Sequence, residues 1–355
     1  MTTRDAAASA ISIGGREIGR GQPPFIVAEM SGNHNGELGR AVALLDAAKA
    51  AGADAVKLQT YTADTMTIDS ARPEFRIKGG LWDGRTLYEL YQEAHTPWEW
   101  HPALFEHARS LGLTIFSSPF DETAVDLLES LGAPAYKIAS FEVVDIPLIQ
   151  RVARTGKPMI ISTGMANLVE IGEAVETARA AGCRDIVLLH CISAYPAPAS
   201  ESDLRTMPDL AERFGVTAGL SDHSMGTAVA VASVALGASL IEKHFTLHRA
   251  DGGPDSAFSL EADELAMLVR DVRTAWEALG TASYDRRASE ESNVVFRRSL
   301  YVVADVAAGQ RFDRTNVRAI RPGYGLPPKY LDEVLGRRAR VDIARGTALE
   351  RSMVE

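Results

Sequence analysis

A short β-branched run followed by a longer Ala- and Leu-rich amphipathic stretch recurs along most of this 355-residue chain, and no other feature constrains its fold as tightly. The strand-like runs are Phe25–Met30, Ala55–Thr60, Leu113–Pro119, Ala135–Ser140, Pro158–Gly164, Asp185–Ile192, Val216–His223 and Ala238–Thr246. Between them lie helix-like segments such as Glu37–Ala51, Trp98–Leu111, Glu122–Leu131, Leu168–Ala181 and Thr227–Leu236, and Ala262–Leu279 closes the series. Gly52, Gly112, Gly132, Gly156, Gly182, Gly237 and Gly280 stand at helix ends, where the backbone turns left-handed. Eight strand–helix units in about 260 residues imply an α/β fold, a (β/α)8 TIM barrel. An open doubly wound sheet would not need eight units of such even spacing.

The barrel is expected over residues 1–280, with a short hairpin at Ile11–Ile18 that turns at Gly14-Gly15. Periodicity breaks at the polar stretch Thr281–Asn293, which sets a linker over 281–296. In residues 297–355, Asp305-Val-Ala-Ala-Gly-Gln-Arg-Phe is echoed by Asp342-Ile-Ala-Arg-Gly-Thr-Ala-Leu, which implies a pseudo-symmetric β-rich module. The formal net charge of −10 argues against a nucleic-acid partner. That charge is uneven: residues 297–355 hold 12 Lys/Arg against 7 Asp/Glu, a net of +5, so the remainder carries −15. A basic module either docks on the acidic body or covers an anionic substrate. No apolar run approaches the roughly 20 residues that span a bilayer, so no membrane partner is expected. The first ten residues lack a basic-then-apolar secretory layout. Two cysteines, Cys183 and Cys191, do not make a disulfide framework, and the cytoplasm is the expected compartment.

Active sites of such barrels lie at the carboxyl ends of the strands. Polar residues crowd those ends: Glu29 on the first, Lys57 and Gln59 on the second, Ser117 on the third. Lys137, Ser140 and Glu142 follow on the fourth, Ser162 and Thr163 on the fifth, and Tyr195 after the sixth. The seventh ends Gly219-Leu-Ser221-Asp-His223 and the eighth carries Glu242-Lys-His244. One or two such residues cap helices or satisfy buried partners; so many at one mouth are hard to explain structurally. His223 and His244, on adjacent strands at equivalent heights, suit Mn²⁺, Co²⁺ or Zn²⁺, with a pair of structural histidines as the plain alternative. Lys57, Lys137, Ser117, Ser140 and Ser162 are the types that bind a phosphorylated carboxylate. Lys137 also permits a metal-free Schiff-base aldolase, which leaves the histidines and the extra module unexplained. No glycine-rich nucleotide loop is visible. Cys191 reads as a packing residue and Asn33-His34-Asn35 as shaping the loop after the first strand.

These motifs resemble the sialic acid synthases and, within them, the pseudaminic acid synthase branch. The likeness runs from about Pro24 to Met353, through Phe25-Ile-Val-Ala-Glu29-Met-Ser-Gly-Asn-His-Asn35, Asp54-Ala-Val-Lys-Leu-Gln-Thr60 and Tyr136-Lys-Ile-Ala-Ser140. It continues in Ile161-Ser-Thr-Gly-Met165, Leu220-Ser-Asp-His223, Ile241-Glu-Lys-His-Phe-Thr246 and Gly252-Gly-Pro-Asp255. The end module resembles the antifreeze-like (SAF) domain of those enzymes. The resemblance implies a transferase that condenses phosphoenolpyruvate with an acetamido sugar. It implies His223 and His244 as ligands of Mn²⁺, or of Mg²⁺ or Co²⁺. Lys137, Ser117, Ser140, Ser162 and Ser221 would hold phosphoenolpyruvate; Lys57 and Thr163 are expected to face substrate from their places at the strand ends. Glu29, Gln59, Tyr195 and Asp255 would orient the sugar and Glu142 would move protons. A homodimer is implied, in which one subunit's SAF domain covers the partner's barrel and contributes Arg321. The Gly80–Tyr88 and Glu93–His101 stretches and Arg321-Pro-Gly-Tyr-Gly-Leu326 favour the pseudaminate branch. Ser193 stands where the N-acetylneuraminate branch has Asn, so a different hydroxyl or N-acyl pattern is expected there. N-acetylneuraminate and legionaminate synthesis remain the alternatives. A non-catalytic carbohydrate-binding role would leave Glu29, Lys137, Glu142, His223 and His244 without a purpose.

Overall fold

The computed structural model describes residues 10–355. Ile11–Ile13 (β1) and Arg16–Ile18 (β2) pair antiparallel across a turn in which Gly14 and Gly15 both have positive φ. Eight parallel strands then close into one barrel: β3 (Phe25–Glu29), β4 (Ala55–Thr60), β5 (Thr114–Pro119), β6 (Tyr136–Ile138), β7 (Met159–Ser162), β8 (Ile186–Cys191), β9 (Thr217–Asp222) and β10 (Leu240–His244). The pairing of β10 with β3 completes the ring and puts His244 level with Glu29.

Helix α1 (Leu38–Ala51) follows β3, and α2 (Ala63–Met66), α3 (Leu87–Ala94) and α4 (His101–Ser110) fill the long connection after β4. The others are α5 (Glu122–Ser130), α6 (Ile146–Ala153), α7 (Leu168–Ala180), α8 (Thr206–Phe214), α9 (Ala228–Ala235) and α10 (Ala262–Leu279). The expected helix-ending glycines all adopt positive φ, from 48° at Gly280 to 105° at Gly182. Helices α6 and α8 are not among those picked out by periodicity. They have 8 and 9 residues and carry Pro147 and Pro208 in the first turn, where a missing N–H forfeits no helical bond.

Two apolar layers follow from the period of two along each strand. Ile26, Ala28, Val56, Leu58, Ile115, Ile138, Ile161, Leu188 and Ile241 point outward and pack with helical residues such as Leu44, Leu104, Leu128 and Leu268. The alternate residues Phe25, Val27, Ala55, Phe116, Ala135, Ile160, Val187, Leu189 and Leu240 fill the lumen together with Ile11, Ile13 and Ile18 of the hairpin. The hairpin therefore plugs the amino-terminal end of the barrel, and polar chemistry is confined to the other end.

The chain divides into two units, one ending at Gly280 and the other spanning Thr281–Glu355. In the second, Ala288–Phe296 is a 3-10 helix, and the Val295 carbonyl accepts from the Gly323 N–H at 2.8 Å, so part of the expected linker is built into the module. Strands β11 (Ser299–Val302) and β12 (Val317–Ile320) pair antiparallel, and α11 (Leu331–Val334) lies beyond them. The internal repeat is a structural symmetry. Val306 and Ile343 exchange backbone hydrogen bonds at 2.9 and 2.8 Å. The Asp305 carboxylate accepts from the Arg345 N–H and that of Asp342 from the Ala308 N–H, both at 2.7 Å.

Candidate active site

The alternation that fills the lumen with Phe25, Ala55, Phe116, Ala135, Ile160 and Leu240 also decides which residues enter its open end. Continuing it by twos brings in Glu29, Lys57, Gln59, Ser118, Lys137, Ser162, Cys191, Ser221, His223, Glu242 and His244. Lys57 is the hub. Its ammonium lies 3.1 Å from Glu29 and 3.2 Å from Glu242, with the Ser118 hydroxyl at 3.4 Å. Glu242 also accepts from Ser221 at 3.1 Å and has the Lys137 ammonium at 3.9 Å. Gln59 donates to Glu29 at 2.9 Å and to Ser31 at 3.2 Å, and Ser31 in turn bonds Asp255.

Burial and mutual charge set the state of these groups. Burial pushes the Lys137 ammonium down to about 8, against the pull of Glu242. Burial alone would lower Lys57 too, but Glu242 and Glu29 outweigh it and hold its pKa above the usual value. Burial raises the Glu29 carboxyl above the ordinary range and brings Glu142 up to about 7. Several buried atoms at this end have no hydrogen-bond partner among the described residues: Glu142 Oε2, Ser162 Oγ, Ser193 Oγ, Glu242 Oε2 and His244 Nδ1. Ser193 and Ser140 close around Gly164, where an added Cβ would stand 2.3 Å from the first hydroxyl and 2.8 Å from the second.

The rings of His223 and His244 lie 5.3 Å apart. His223 Nδ1 is 2.9 Å from the Ile192 carbonyl, so this nitrogen carries the proton. Burial drives His244 well below the normal imidazole range, so it is neutral, and its bare Nδ1 is 3.9 Å from Asp255. Among the described residues no three His, Cys, Asp or Glu side chains gather into a ligand cage. Two imidazoles with one orphaned buried nitrogen fit a divalent ion that keeps open positions for water and substrate. Tyr195 packs 4.4 Å from His223 and Phe258 packs 4.9 Å from His244. Trp82, from the long connection after β4, stands 5.9 Å from Tyr195, and its indole N–H donates to the Pro254 carbonyl at 3.0 Å.

Two expected site residues face away from the lumen. Ser117 is on the outward face of β5, bonded to Thr60 at 2.6 Å, and Thr60 bonds His101 of α4 at 2.8 Å. The inward hydroxyl is that of Ser118. The signal that marks it is its phase, two residues on from the lumen residue Phe116, which residue type alone does not carry. Thr163 is likewise out of phase, and its hydroxyl donates to the Leu189 carbonyl at 3.2 Å. Arg321 is an exposed residue of the second unit. Cys191 is buried, as a packing residue would be, with its sulfur 3.8 Å from His223, and although burial raises a thiol, His223, Ser140 and Lys137 pull this one down to about 7. Asn33 donates to the Phe245 carbonyl at 2.8 Å and to Ser259 at 2.9 Å, and Asn35 donates to the Gly252 carbonyl at 3.1 Å. His34 accepts from the Gly36 N–H, so the trio ties loops together as expected.

A profile of the NeuB family matches residues 44–284, and one of the SAF domain matches 297–355. The chain is 46% identical to a pseudaminic acid synthase of Helicobacter pylori, over 94% of this chain and 98% of that protein. It is 36% identical to an N,N'-diacetyllegionaminic acid synthase of Legionella pneumophila, over 92% of this chain and 93% of the relative. Among solved structures, an N-acetylneuraminic acid synthetase from Leptospira borgpetersenii matches with a TM-score of 0.72 and 31% identity, covering 81% of this chain and 95% of that one. With more than half its length matched, the chain belongs to the NeuB family and ends in a SAF domain.

Proposed function

We propose that this chain condenses phosphoenolpyruvate with 2,4-diacetamido-2,4,6-trideoxy-altrose to give pseudaminic acid and phosphate. What carries this reading is the set of buried, unpartnered polar atoms around two lysines at one end of the lumen. Such atoms cost stability unless a ligand completes them. The higher identity to the relative named for pseudaminic acid, 46% against 36% for the one named for legionaminic acid, supports this sugar over the other.

Lys57 and Lys137, with the hydroxyls of Ser118, Ser140, Ser162 and Ser221, would hold the phosphorylated carboxylate. Glu29, Gln59, Ser193, Tyr195 and Asp255 would orient the sugar. A divalent ion at His223 and His244, Mn²⁺ by preference over Mg²⁺ or Co²⁺, would polarise the aldehyde. C3 of phosphoenolpyruvate bonds to the aldehyde carbon, and positive charge develops at C2. Water adds to C2 and passes a proton to Glu142, whose pKa of about 7 suits it to accept and return one. The new hydroxyl at the former aldehyde gains a proton in compensation. Cleavage of the bond between C2 and the bridging phosphate oxygen then releases phosphate as the C2 hydroxyl becomes the ketone and its proton goes to the departing group, whose charge the two ammoniums offset.

A cytoplasmic homodimer, with one subunit's SAF domain and its Arg321 over the partner's barrel, belongs to the same proposal. Phe141, Met165 and Met225, on the connections after β6, β7 and β9, and Leu168 and Val169, at the start of α7, are large apolar residues that one subunit leaves exposed. Light scattering that returns the mass of one subunit would sink the dimer.

Phosphate release tests the reaction, with the altrose-configured sugar, its gluco-configured counterpart and N-acetylmannosamine, each with Mn²⁺ and with EDTA. Release with the altrose sugar alone, lost in EDTA and in His223→Ala, is the expected result. Turnover of another sugar instead would move the substrate and keep the chemistry. The Schiff-base reading has its own observation in the depressed pKa of Lys137. EDTA-insensitive activity with a borohydride-trapped adduct on Lys137 would install it.

A further inference from the structure

We infer that Trp82 selects a sugar with a methyl group, and no hydroxyl, at carbon 6, an inference that rests on the condensation proposed above. The lysine, serine and glutamate cluster is drawn from most of the ring, and on β9 and β10 its members Ser221 and Glu242 come two residues before His223 and His244, so in the proposed reaction the aldehyde carbon lies between that cluster and the histidine pair. The rest of an open-chain sugar then runs away from the lysines, past the rings packed on the histidines. Those rings form a chain: His244 to Phe258 at 4.9 Å, Phe258 to Tyr195 at 5.3 Å, and Tyr195 to Trp82 at 5.9 Å.

Trp82 ends this run of rings and comes from the connection between β4 and β5, whereas Phe258 and Tyr195 follow other strands. Its single polar group is already used, because the indole N–H donates to the Pro254 carbonyl at 3.0 Å. That bond ties the ring to the residue next to Asp255, whose carboxylate bonds Ser31 and lies 3.9 Å from His244. Trp82 is thus held against the site and offers an apolar face with no donor to spare. Phe258 has no polar side-chain atom either. A methyl group gains contact against Trp82 and Phe258, while a hydroxyl there loses water and finds no partner on either ring, the Tyr195 phenol between them being the group assigned above to orient the sugar.

The experiment measures kcat/KM for phosphate release with the trideoxy-altrose sugar and with its 6-hydroxy counterpart, in wild-type, Trp82→Ala and Trp82→Phe. Wild-type is expected to favour the 6-deoxy sugar by about 10- to 200-fold, the range for one small group in an apolar pocket. Trp82→Ala is expected to bring the ratio to within about threefold, chiefly through the 6-deoxy sugar, with the KM for phosphoenolpyruvate changed by less than about twofold. Trp82→Phe keeps an apolar ring and is expected to retain most of the discrimination. Equal losses on both sugars in Trp82→Ala would make the ring merely structural and overturn the inference, as would an unchanged ratio. Turnover of neither sugar by wild-type would instead overturn the substrate reading itself.

Discussion

The two ends of the barrel lumen are built by the same eight strands on the same face, yet they are opposites. At the amino-terminal end Phe25, Val27, Ala55, Phe116, Ile160 and Leu240 meet Ile11, Ile13 and Ile18 of the hairpin, all buried and all apolar. A few residues further along, Glu29, Lys57, Lys137, Ser162 and Glu242 are just as buried, and some of their polar atoms have no partner. An unsatisfied buried polar group costs about 1–3 kcal/mol, a cost the closed end helps to offset. One end holds the strands together so that the other can be kept ready for a ligand.

The largest expected effect is at the hub of the open end. Lys57→Met leaves Glu29 and Glu242 facing each other without their shared cation. Phosphate release should fall by at least about 10³-fold and urea-unfolding stability by about 3–5 kcal/mol. Phe116→Ala, at the closed end, should cost a similar 3–5 kcal/mol through a cavity, while the protein that stays folded keeps kcat within a few-fold. A large kcat loss in Phe116→Ala would erase the division between the two ends. Neighbours on β5 give a finer test. Ser118→Ala should raise the KM for phosphoenolpyruvate about tenfold, whereas Ser117→Ala should leave it within about twofold and cost about 1 kcal/mol through Thr60.

The smallest expected effect is a pH response. If Glu142 accepts a proton, kcat/KM should rise with pH through about 7 as its carboxyl ionises, and Glu142→Gln should flatten that rise. Stability should respond in the opposite sense. The folded-state pKa lies above the unfolded value, so the folded form binds the proton more tightly. Its contribution is full below the ordinary carboxylate range and is lost as pH rises through about 7. Chemical unfolding of wild-type and Glu142→Gln across that window checks the sign.

The eight strands were legible because each apolar run is short, β-branched and closed by a helix with a terminal glycine. Helices α6 and α8 escaped because a proline in so short a segment looks like a breaker, although it sits where a helix tolerates it. Strand-end polarity located the mouth, since burying Lys57 and Glu242 makes sense only as part of a mutual network. Residue type alone misplaced Ser117 and Thr163, because a serine or threonine is equally suited to bonding a backbone carbonyl behind the wall. Only phase separates the two faces, and Phe116 carried that phase one residue before the error. Trp82 was visible as part of an aromatic loop, but its bond to Pro254 joins residues 172 positions apart and has no local signature.

Ser162 joins the two halves of this picture, because its hydroxyl is buried and unpartnered on β7, the neighbour of the strand that carries Lys137. The most direct measurement is the unfolding midpoint of Ser162→Ala together with its KM for phosphoenolpyruvate. A midpoint equal to or above that of wild-type, with KM raised about tenfold or more, is the expected result. A lowered midpoint with an unchanged KM would mean that the hydroxyl serves the fold, and that the polar end of the lumen is not where phosphoenolpyruvate binds.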